Sequence, residues 1–341
     1  MYSSGKLGRE LVFVSFFIFF WTCTSSATSG ALSEPSIAAQ HDAWMVQHGR
    51  VYPNSAEKHR RRQIFKYNLD FIQKHNNQGN KSYTLSLNHF ADLTNQEFLA
   101  SYTGALYNPH TLPPSSNTYH NITLTAADID SSVDWRKRGA VNEIKYQGQC
   151  GSCWAFSAVA TVEGITQIKT GTLISLSEQQ LVDCASYDGC HGQSMERAFE
   201  YIKGNGLVRE DEYPYTGRQW TCHRVGGVDL TMIRGYQSVP PQMEEELLKA
   251  VANQPVSVLL EAKGQAFQFY SGGVFDGRCG TELNHAVTAI GYDGDANGKY
   301  WLIRNSWGKQ WGEGGYMKIR RDTGTPEGLC GINLHATYPV V

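Results

Sequence analysis

Hydrophobic positions follow two different periods along this chain of 341 residues, and the period changes near Pro255. Before that point, segments 153–168 and 194–203 carry apolar residues at intervals of three and four, which predicts helices. After it, short apolar runs between glycine-rich turns predict β-strands at 256–260, 286–290, 300–303 and 315–319. A helical half followed by a β half predicts an α+β fold with two lobes and a cleft between them.

The front of the chain differs in composition and hydrophobic pattern from these two lobes. Residues 37–102 are polar and helical in pattern, and the stretch that follows is rich in Pro, Ser, Thr and Asn. That stretch has too few apolar residues to build a core, so we expect an extended linker. The pattern predicts a front unit over 28–128, with a helical core at 37–102 and a strap at 103–128, and a main domain over 129–341.

The amino end has the composition of a secretory signal peptide. Basic residues precede an apolar run from Leu11 to Trp21, and small residues follow it up to Ala27. A membrane anchor is the alternative, but crossing a bilayer takes about 20 apolar residues, and this run is shorter. We therefore expect cleavage of a signal peptide over 1–27, a soluble product without a membrane span, and candidate glycan acceptors at Asn80 and Asn121.

Composition narrows the function classes. Hydrophobic residues make up 41% of the chain and charged residues 18%, which is typical of a globular protein. The formal net charge of -2 gives no reason to expect nucleic acid or an anionic membrane as a partner.

Cysteine counting singles out one residue. The chain has 8 cysteines, and Cys23 lies in the predicted signal peptide, so an odd number remains in a protein bound for an oxidising compartment. We expect Cys153 to be the one without a partner. It begins a predicted helix, where free backbone N–H groups and the helix dipole favour a thiolate. A disulfide to Cys150 and a thioredoxin-like redox pair with Cys150 are the alternatives, and the redox pair again leaves an odd number.

Two later polar residues are candidates to serve that thiolate. His285 begins a predicted strand and is the candidate base, which would share the proton of the thiol. A histidine that is simply packed beside apolar residues is the alternative. Asn305 follows a strand and is the candidate to orient the imidazole, with a capped turn as the alternative.

Longer strings then carry a resemblance. The back half contains, in order, QGQCGSCWAFSAVATVEG, LSEQQLVDC, LNHAVTAIGY, YWLIRNSWGKQWGEGGYMKI and CGIN. Through these strings it resembles the papain family of cysteine proteases, of the cathepsin L-like and plant-like type. The resemblance implies a papain-like two-lobed fold with a helical lobe and an antiparallel β-barrel-like lobe. It also implies a nucleophile at Cys153, a base at His285, an orienting residue at Asn305, an oxyanion donor at Gln147 and a screening indole at Trp307.

The resemblance also implies how the cysteines pair, which the sequence alone leaves open. The implied disulfides are Cys150–Cys190, Cys184–Cys222 and Cys279–Cys330, which leave Cys153 free. A zinc site built from Cys150, Cys153, Cys184 and Cys190 is the rival, but the secretory route favours disulfides. We expect neither a metal nor a cofactor.

The front unit resembles the inhibitory propeptide of the same family. One stripe of a predicted helix carries the first family motif, formed by Glu57, Arg61, Phe65, Asn68, Ile72 and Asn76. The second motif appears as Asn88, Phe90 and Asp92, but Ser86 stands where the family has glycine and leaves the local turn open. The resemblance implies that the next segment runs through the cleft in the reverse sense to substrate.

We expect acid pH to loosen this inhibitor. Carboxylates such as Glu57 and Asp92, if ion-paired when docked, would have lowered pKa values there. Their stabilisation would then be lost as the pH falls through those docked values.

The resemblance is weakest where substrate would be recognised. After Cys190 and His191 come Gly192 and Gln193, and the family has glycine at the second position, so we expect Gln193 to crowd or tilt a backbone contact. The other substrate contacts that the resemblance implies are Met195, Leu259, Leu283, Asn284, Ala286 and His335. The apolar members predict a shallow pocket that prefers Leu, Val or Phe at the second residue upstream of the cut. His335 either accepts acidic or polar groups when protonated or points into solvent.

We therefore expect a cysteine endopeptidase that is made as a zymogen and works through an acyl-enzyme thioester. A non-catalytic papain-like storage or binding protein is the alternative. The expected partners are protein and peptide substrates, the chain's own propeptide as an intramolecular inhibitor, and cystatin-like inhibitors, with the enzyme as a monomer. The expected destination is a vacuole or lysosome, or the outside of the cell.

Overall fold

A computed structural model describes Met1 and residues 34–105, 129–295 and 298–341. The rest of the predicted signal peptide with Cys23, most of the predicted strap and the candidate acceptor Asn121 lie outside the described residues. Within the described ranges, no helix has the length and apolar character needed to cross a membrane.

The front unit is helical and ends with a short strand and a further helix. Its elements are α1 (Glu34–Gln47), α2 (Ser55–Asn76), β1 (Tyr83–Leu85) and α3 (Asn95–Tyr102). Helix α2 begins where the side chain of Asn54 accepts a hydrogen bond from the N–H of Glu57, which satisfies a free donor of the first turn. Helix α3 begins with a capping box between Thr94 and Glu97.

The helical lobe of the main domain follows the predicted segments. Its helices are α4 (Cys153–Thr170), α5 (Glu178–Cys184) and α6 (Met195–Asn205). Helix α4 ends at Gly171, whose positive φ of 76° closes the helix in the left-handed conformation that glycine adopts freely. Cys153 is the first residue of this helix, and the first four turns of the helix are almost entirely buried.

The second lobe is built around one sheet. Its elements are β2 (Val133–Asp134), β3 (Gly235–Val239), α7 (Glu244–Asn253), β4 (Val256–Leu260), α8 (Gln265–Gln268), β5 (Tyr270–Phe275), β6 (His285–Asp295), β7 (Gly298–Arg304), β8 (Tyr316–Arg320) and β9 (Ala336–Val340). Among the described residues the strand order is β1-β5-β8-β7-β6-β4-β9-β3, with β2 on β6. The pairs are antiparallel except for β5 and β8, which run parallel, so the expected antiparallel lobe contains one parallel pair.

The front unit joins this sheet directly. Strand β1 pairs antiparallel with β5, with Tyr83 opposite Gly273. A strand from the front unit thereby covers an edge that would otherwise expose unpaired backbone groups. The sheet, helix α7 and the front unit share one apolar core, and the helical lobe has a second core around Cys153 and Met195. The cleft lies where these two cores meet.

Candidate active site

The candidate nucleophile is the first residue of α4. Cys153 is fully buried, and Ser152 before it makes no side-chain hydrogen bond to cap the helix. Burial raises the pKa of its thiol, and the backbone N–H groups of Ala286, Trp154 and Gly104 lower it. Uncapped N–H groups at a helix start favour negative charge, so the sulfur lies where a thiolate would be stabilised.

Cys153 is the free cysteine of the described residues. Disulfides join Cys150 to Cys190, Cys184 to Cys222 and Cys279 to Cys330. Since Cys150 is bonded elsewhere, it cannot form a redox pair with Cys153, and three of the four sulfurs of the rival zinc site are in disulfides. Across the described ranges no group of three or more His, Cys, Asp or Glu side chains is arranged to hold a metal ion.

The candidate base begins β6 and is held by the candidate orienting residue. Nε2 of His285 lies 2.8 Å from Oδ1 of Asn305. The N–H of Ser306 donates to the same Oδ1 at 2.8 Å, so this atom is the acceptor and Nε2 carries the proton. Nδ1 is buried without a hydrogen-bond partner among the described residues, so this nitrogen is available as an acceptor.

The indole of Trp307 covers the imidazole. The two rings are nearly parallel, at 21°, with centroids 4.4 Å apart, and both side chains are fully buried. The predicted screen thus lies over His285, and Asn305 beneath it is buried too. On its other side Trp307 contacts Phe90 and Phe98 of the front unit edge-on, at 5.8 and 4.9 Å between centroids. A dry environment strengthens the hydrogen bond between His285 and Asn305.

The candidate oxyanion donor is oriented by a residue that sequence reasoning missed. Oε1 of Gln147 accepts a hydrogen bond from Oγ of Ser306 at 2.6 Å, which leaves Nε2 as the donor. The phenol of Tyr215, also unpredicted, donates to the backbone oxygen of Gln147 at 2.7 Å. Ser306 stands inside a string that carried the resemblance, but no sequence pattern shows that its hydroxyl reaches a side chain so distant in the chain.

A short piece of the front unit closes the site, and we call Tyr102–Ala105 the blocking segment. The carbonyl oxygen of Tyr102 accepts hydrogen bonds from Nε2 of Gln147 at 3.3 Å and from Nε1 of Trp307 at 3.0 Å. The blocking segment therefore occupies the donor that an oxyanion would use.

The remainder of the blocking segment pairs with both walls of the cleft through its backbone. The N–H groups of Gly104 and Ala105 both donate to the oxygen of Asn284 at 3.1 Å, and the oxygen of Gly104 accepts from the N–H of Gln193 at 3.1 Å. Ala105 and Gln193 pair in the parallel sense. A Cβ on Gly104 would lie 2.4 Å from the oxygen of Gly151, so this close approach requires glycine.

Gln193 does not crowd this backbone contact, contrary to expectation. Its N–H is engaged by Gly104, and its side chain turns aside to Oγ of Ser186 and the N–H of Ser194, each at 3.3 Å. Its φ is not positive, so the position does not require glycine, whereas Gly192 has a φ of 101°.

Several expected substrate contacts lie together in one apolar cluster with Ala105. Met195, Leu259 and Ala286 are buried in that cluster and Leu283 packs against it. Asn284 offers its backbone, because its side-chain Oδ1 accepts the N–H of Ala262 at 2.8 Å.

One of the two expectations for His335, a side chain that points into solvent, is wrong. It is 8% exposed, so it does not point into solvent. Its Nε2 lies 2.7 Å from Oε1 of Glu196, which is 1% exposed, so the chain supplies the acidic partner itself. Glu196 went unpredicted because the two residues belong to different lobes and are far apart in the chain.

Burial keeps the candidate catalytic pair neutral in this form. Burial raises the pKa of Cys153 to about 11, although the surrounding N–H groups lower it. Burial lowers the pKa of His285 to about 4, although the hydrogen bond to Asn305 raises it. With the blocking segment in place, the thiol and the imidazole are therefore both uncharged at neutral pH.

The propeptide motifs form two kinds of contact. Phe65, Ile72 and Phe90 are buried in the shared core. The three asparagines bind backbone oxygens: Asn68 that of Ala91 at 2.9 Å, Asn76 that of Leu85 at 2.8 Å, and Asn88 that of Gln268 at 2.8 Å. Asn88 and Gln268 belong to the front unit and the main domain, so this bond fixes one on the other.

The charged motif residues form a network with one member that the sequence did not reveal. Arg61 bonds Glu57 at 2.7 Å, the unpredicted Glu97 at 2.9 Å, and the backbone oxygen of Asp92 at 2.9 Å. The hydrogen bond from Arg61 lowers the pKa of Glu57, in the expected direction. The carboxylate of Asp92 accepts the hydroxyl of Tyr52 at 2.9 Å.

Two smaller expectations concern the turn before the second motif. Ser86 donates its N–H to Phe269 of the main domain at 3.0 Å, and its φ is not positive, so the missing glycine is not needed. Asn80 is exposed in the turn between α2 and β1. Its glycosylation stays a prediction.

Two family models match the chain. Residues 129–340 match the model described as papain family cysteine protease. Residues 41–98 match the cathepsin propeptide inhibitor domain. The two matches divide the chain near the start of the predicted main domain.

Curated relatives match almost the whole length. The senescence-specific cysteine protease SAG12 of Arabidopsis thaliana is 49% identical over 97% of this chain and 98% of its own length. The KDEL-tailed cysteine endopeptidase CEP2 of the same organism is 50% identical over 90% of this chain and 87% of its own.

Solved structures of precursor forms share the fold. The recombinant stem bromelain precursor gives a TM-score of 0.82 at 45% identity, covering 89% of this chain and 99% of that one. The proform of the ragweed pollen cysteine protease Amb a 11 gives 0.82 at 42%, covering 91% and 96%. The front unit and the main domain are thus both part of the shared fold.

Proposed function

This chain belongs to the papain family of cysteine proteases, as a zymogen with its own inhibitory propeptide, and from that premise we propose that Cys153 and His285 cut peptide bonds as a thiolate–imidazolium pair. The observation that carries the proposal is the position of the free thiol. Burial raises the pKa of this thiol, and the backbone N–H groups of Ala286, next to His285, and of Gly104, in the blocking segment, lower it. The inhibitor thus covers the atom that would react.

Removal of the propeptide would ionise the pair. Burial is the first cause of the raised pKa of Cys153 and of the lowered pKa of His285. Once water replaces the blocking segment, the uncapped start of α4 favours the thiolate and Asn305 favours the imidazolium. The proton then moves from the sulfur of Cys153 to Nδ1 of His285.

The reaction would proceed through a thioester. The thiolate of Cys153 attacks the peptide carbonyl carbon, and the oxyanion accepts hydrogen bonds from Nε2 of Gln147 and the N–H of Cys153. His285 gives its Nδ1 proton to the departing amine, and the C–N bond breaks. His285 then takes a proton from water, which attacks the thioester, releases the carboxylic acid and restores the pair.

The same geometry supports a preference at the second residue upstream of the cut. Gln193 and Asn284 offer backbone partners on the two walls, and the blocking segment uses them in the parallel sense. We propose that substrate pairs with Gln193 in the opposite sense, which directs its second side chain to the cluster around Met195 and Leu259. That cluster is apolar, so Leu, Val or Phe should be preferred there.

The setting of the enzyme is part of the proposal. The apolar run before Ala27 supports entry into the secretory pathway, with a vacuole, a lysosome or the extracellular space as the destination. Protein and peptide substrates and cystatin-like inhibitors are the proposed partners of a monomeric mature enzyme. The non-catalytic storage or binding alternative is not favoured, since every residue proposed for catalysis is present in a connected site.

Active-site titration tests this function. The mature enzyme is treated with an irreversible thiol-directed epoxide inhibitor, and we expect one adduct per molecule, on Cys153, in step with loss of peptidase activity. Gln147→Ala should keep the adduct but lower kcat by about 10²–10³-fold, the usual effect of removing one oxyanion donor. The proposal would be contradicted if the mature Cys153→Ala variant hydrolysed peptides as fast as the wild-type enzyme.

A further inference from the structure

One tyrosine binds both ends of the short turn that carries the candidate oxyanion donor and leads into α4. We call residues 147–152 the oxyanion turn. The hydroxyl of Tyr215 donates to the backbone oxygen of Gln147 at 2.7 Å, and Oγ of Ser152 lies 2.7 Å from the same hydroxyl. The ring of Tyr215 packs edge-on against Phe156 of α4, with centroids 4.8 Å apart. The side chain is therefore held by its ring as well as by its hydroxyl.

The direction of these hydrogen bonds follows from the number of protons. A backbone oxygen can only accept, so the single phenolic proton of Tyr215 goes to Gln147. Ser152 then donates its own proton to the phenolic oxygen, because its other contact, to the oxygen of Cys150, is longer at 3.4 Å. The hydrogen bonds thus form a chain from Ser152 through Tyr215 to Gln147.

Ser152 is the N-cap residue of α4, yet its side chain does not cap the helix. A serine here usually accepts the N–H of the second or third helical residue, which would be Trp154 or Ala155. Its φ of -97° and ψ of 14° lie outside the extended region, and its hydroxyl makes no cap hydrogen bond. Burial raises the pKa of Cys153, and the N–H of Trp154 is among the groups that lower it. The N–H of Trp154 is therefore left for the thiol.

At the other end of the turn, Gln147 is bound by both lobes. Its N–H donates to the oxygen of Ser306, which follows β7, at 2.8 Å. Its oxygen accepts from Tyr215, which packs against the apolar cluster of the helical lobe. Its side-chain Nε2 donates to the oxygen of Cys150 in the same turn at 3.0 Å. The position of the donor that an oxyanion would use therefore depends on this backbone.

We propose that Tyr215 is a positioning residue for the reaction, which holds the backbone of Gln147 in place and keeps the hydroxyl of Ser152 away from the N–H groups at the start of α4. The inference rests on the proposed function, in which Gln147 stabilises the oxyanion and Cys153 attacks as a thiolate. Tyr215 acts through its two hydrogen-bond partners and takes no part in the bond changes.

The phenol of Tyr215 keeps its proton. Burial raises its pKa and the hydrogen bond with Ser152 lowers it, but three nearby groups that can carry negative charge raise it further. The titratable and charged groups near the thiol and this network are Cys153, Glu178, Glu210, Lys145 and His285. Replacing Tyr215 by Phe or Ser152 by Ala changes none of these charges. Differences in pH dependence among such variants therefore come from hydrogen bonds.

Uncharged variants of the mature enzyme test the inference, with every rate expressed per active site counted by epoxide titration. Tyr215→Phe keeps the ring against Phe156 and removes the hydroxyl. We expect kcat to fall about tenfold with KM within about twofold, which is a part of the loss of about 10²–10³-fold expected when a whole oxyanion donor is removed. In the Gln147→Ala background the same change should lower kcat by less than about twofold, because the side chain that Tyr215 positions is absent.

The thiolate supplies a second readout, the pH midpoint of the alkylation rate of Cys153 by iodoacetamide. Tyr215→Phe frees the hydroxyl of Ser152 to compete for the N–H of Trp154, so the midpoint should rise by about half a pH unit, the size of one helix-terminus interaction. The double variant Tyr215→Phe/Ser152→Ala should restore the wild-type midpoint, because no hydroxyl remains to cap the helix. Its kcat should stay low, because Gln147 is no longer held.

Tyr213→Phe is the matched control, because it removes a hydroxyl of the same loop that donates to Asp183 at 2.8 Å instead of to the oxyanion turn. It should change neither kcat nor the midpoint. The inference is overturned if Tyr215→Phe keeps kcat within about twofold of the wild type, or if Tyr213→Phe lowers kcat equally. It is also overturned if the midpoint stays shifted in the double variant, or if Tyr215→Phe has its full effect in Gln147→Ala.

The epoxide titration separates this inference from the proposed function. A wild-type enzyme without titratable sites contradicts the proposed function. Full titration together with an unchanged kcat in Tyr215→Phe contradicts only the positioning role of Tyr215.

Discussion

Two segments of the propeptide contact the main domain, and they do so through different kinds of contact. In the docking segment, residues 83–98, buried side chains make the contacts: Phe90 and Phe98 pack on Trp307, and Asn88 binds the backbone of Gln268. In the blocking segment the hydrogen bonds across the cleft are made by backbone N–H and C=O groups around Gly104, although the side chains of Tyr102 and Ala105 are buried. Docking therefore depends more on side chains, whereas the hydrogen bonds of the blocking segment use groups that any peptide has.

The difference suggests a division of labour. Backbone groups over a cleft bind weakly unless something holds them there, because each hydrogen bond contributes only about 1 kcal/mol net. The aromatic contacts and the strand pair between β1 and β5 supply the larger apolar burial. The docking segment should determine how long the zymogen stays closed, and the blocking segment should determine only how well the closed form excludes reagents.

Phe90→Ala should have the largest effect, because it breaks docking. Truncating a fully buried phenylalanine costs about 3–5 kcal/mol, so the open fraction of the zymogen should rise by at least about 10²-fold. The measurement is a protection factor, defined as the alkylation rate of Cys153 in the mature enzyme divided by that in the zymogen, at pH 7. Intact mass spectrometry after a short iodoacetamide pulse distinguishes zymogen from processed chain.

The matched control for that variant is Tyr67→Ala, which removes an aromatic ring from α2 that is 66% exposed. Its protection factor should stay within about twofold of the wild type, since exposed substitutions seldom change stability much. Equal protection in Phe90→Ala and the wild type would contradict the assignment of binding strength to docking.

The docking segment also contains a histidine, His89, whereas the blocking segment has neither histidine nor carboxylate. His89 is buried between Asn88 and Phe90, and both its ring nitrogens lack a hydrogen-bond partner among the described residues. Burial, aided by the nearby charges of His48 and Arg50, lowers its pKa to about 3. Lys309 of the main domain lines the same crevice but is paired with Glu143 at 2.8 Å, so a protonated His89 would chiefly face Arg50.

The direction of the pH effect follows from this shift. Undocked, His89 should have an ordinary pKa of about 6.5. In the docked state the pKa of His89 is lowered, so its imidazole stays neutral. Its contribution to docking is therefore fully present above about pH 6.5 and is lost progressively as the pH falls from there toward 3. Burial lowers the pKa of His41 and His48 as well, so these histidines act in the same direction.

His89→Phe should flatten the pH dependence of the protection factor. One histidine can account for up to tenfold per pH unit, or about 100-fold between pH 6.5 and 4.5, and the variant should lose that share. His59→Phe, at an exposed position of α2, is the control and should keep the wild-type slope. If His89→Phe loses protection as steeply as the wild type, carboxylates such as Glu57 and Glu97 drive the release instead.

Part of this picture could be read from the sequence, because it rests on local periodicity and on motifs. The helix that begins at Cys153 has apolar residues at intervals of three and four, and the strand around Ala286 is a short apolar run near glycine-rich turns. The odd cysteine pointed to the free thiol before any pairing was known. Glu57 could be predicted to have a lowered pKa, because its partner Arg61 lies one helical turn away.

The remainder depends on tertiary contacts that leave no local pattern. The bond between Ser306 and Gln147, and the pair formed by Glu196 and His335, each join residues more than a hundred positions apart. The low pKa of His89 comes from burial under another domain, which hydropathy does not reveal. The course of the blocking segment was expected from the resemblance alone, because its hydrogen bonds across the cleft are made by backbone atoms, which every residue has.

Gly104→Ala should have the smallest effect of the three variants, because it disturbs blocking and leaves docking intact. The added Cβ would meet Gly151 at 2.4 Å from its oxygen and 2.6 Å from its Cα, so the blocking segment must shift. The loss of two of the three backbone hydrogen bonds that Gly104 and Ala105 make to the cleft walls, at about 1 kcal/mol each, should lower the protection factor by about 30-fold at pH 7. The thermal midpoint of the zymogen should stay unchanged, since the docking contacts are untouched.

The pairing of these two measurements is what distinguishes blocking from docking. Gly204→Ala, in α6, adds the same methyl group where nothing lies within 4 Å and should change neither value. If Gly104→Ala lowers the thermal midpoint together with the protection factor, as Phe90→Ala is expected to do, the two regions act as one cooperative unit and the division of labour is wrong. If protection alone falls, the blocking segment can be displaced while the propeptide stays docked. A zymogen in that state would react with small thiol reagents before it is processed.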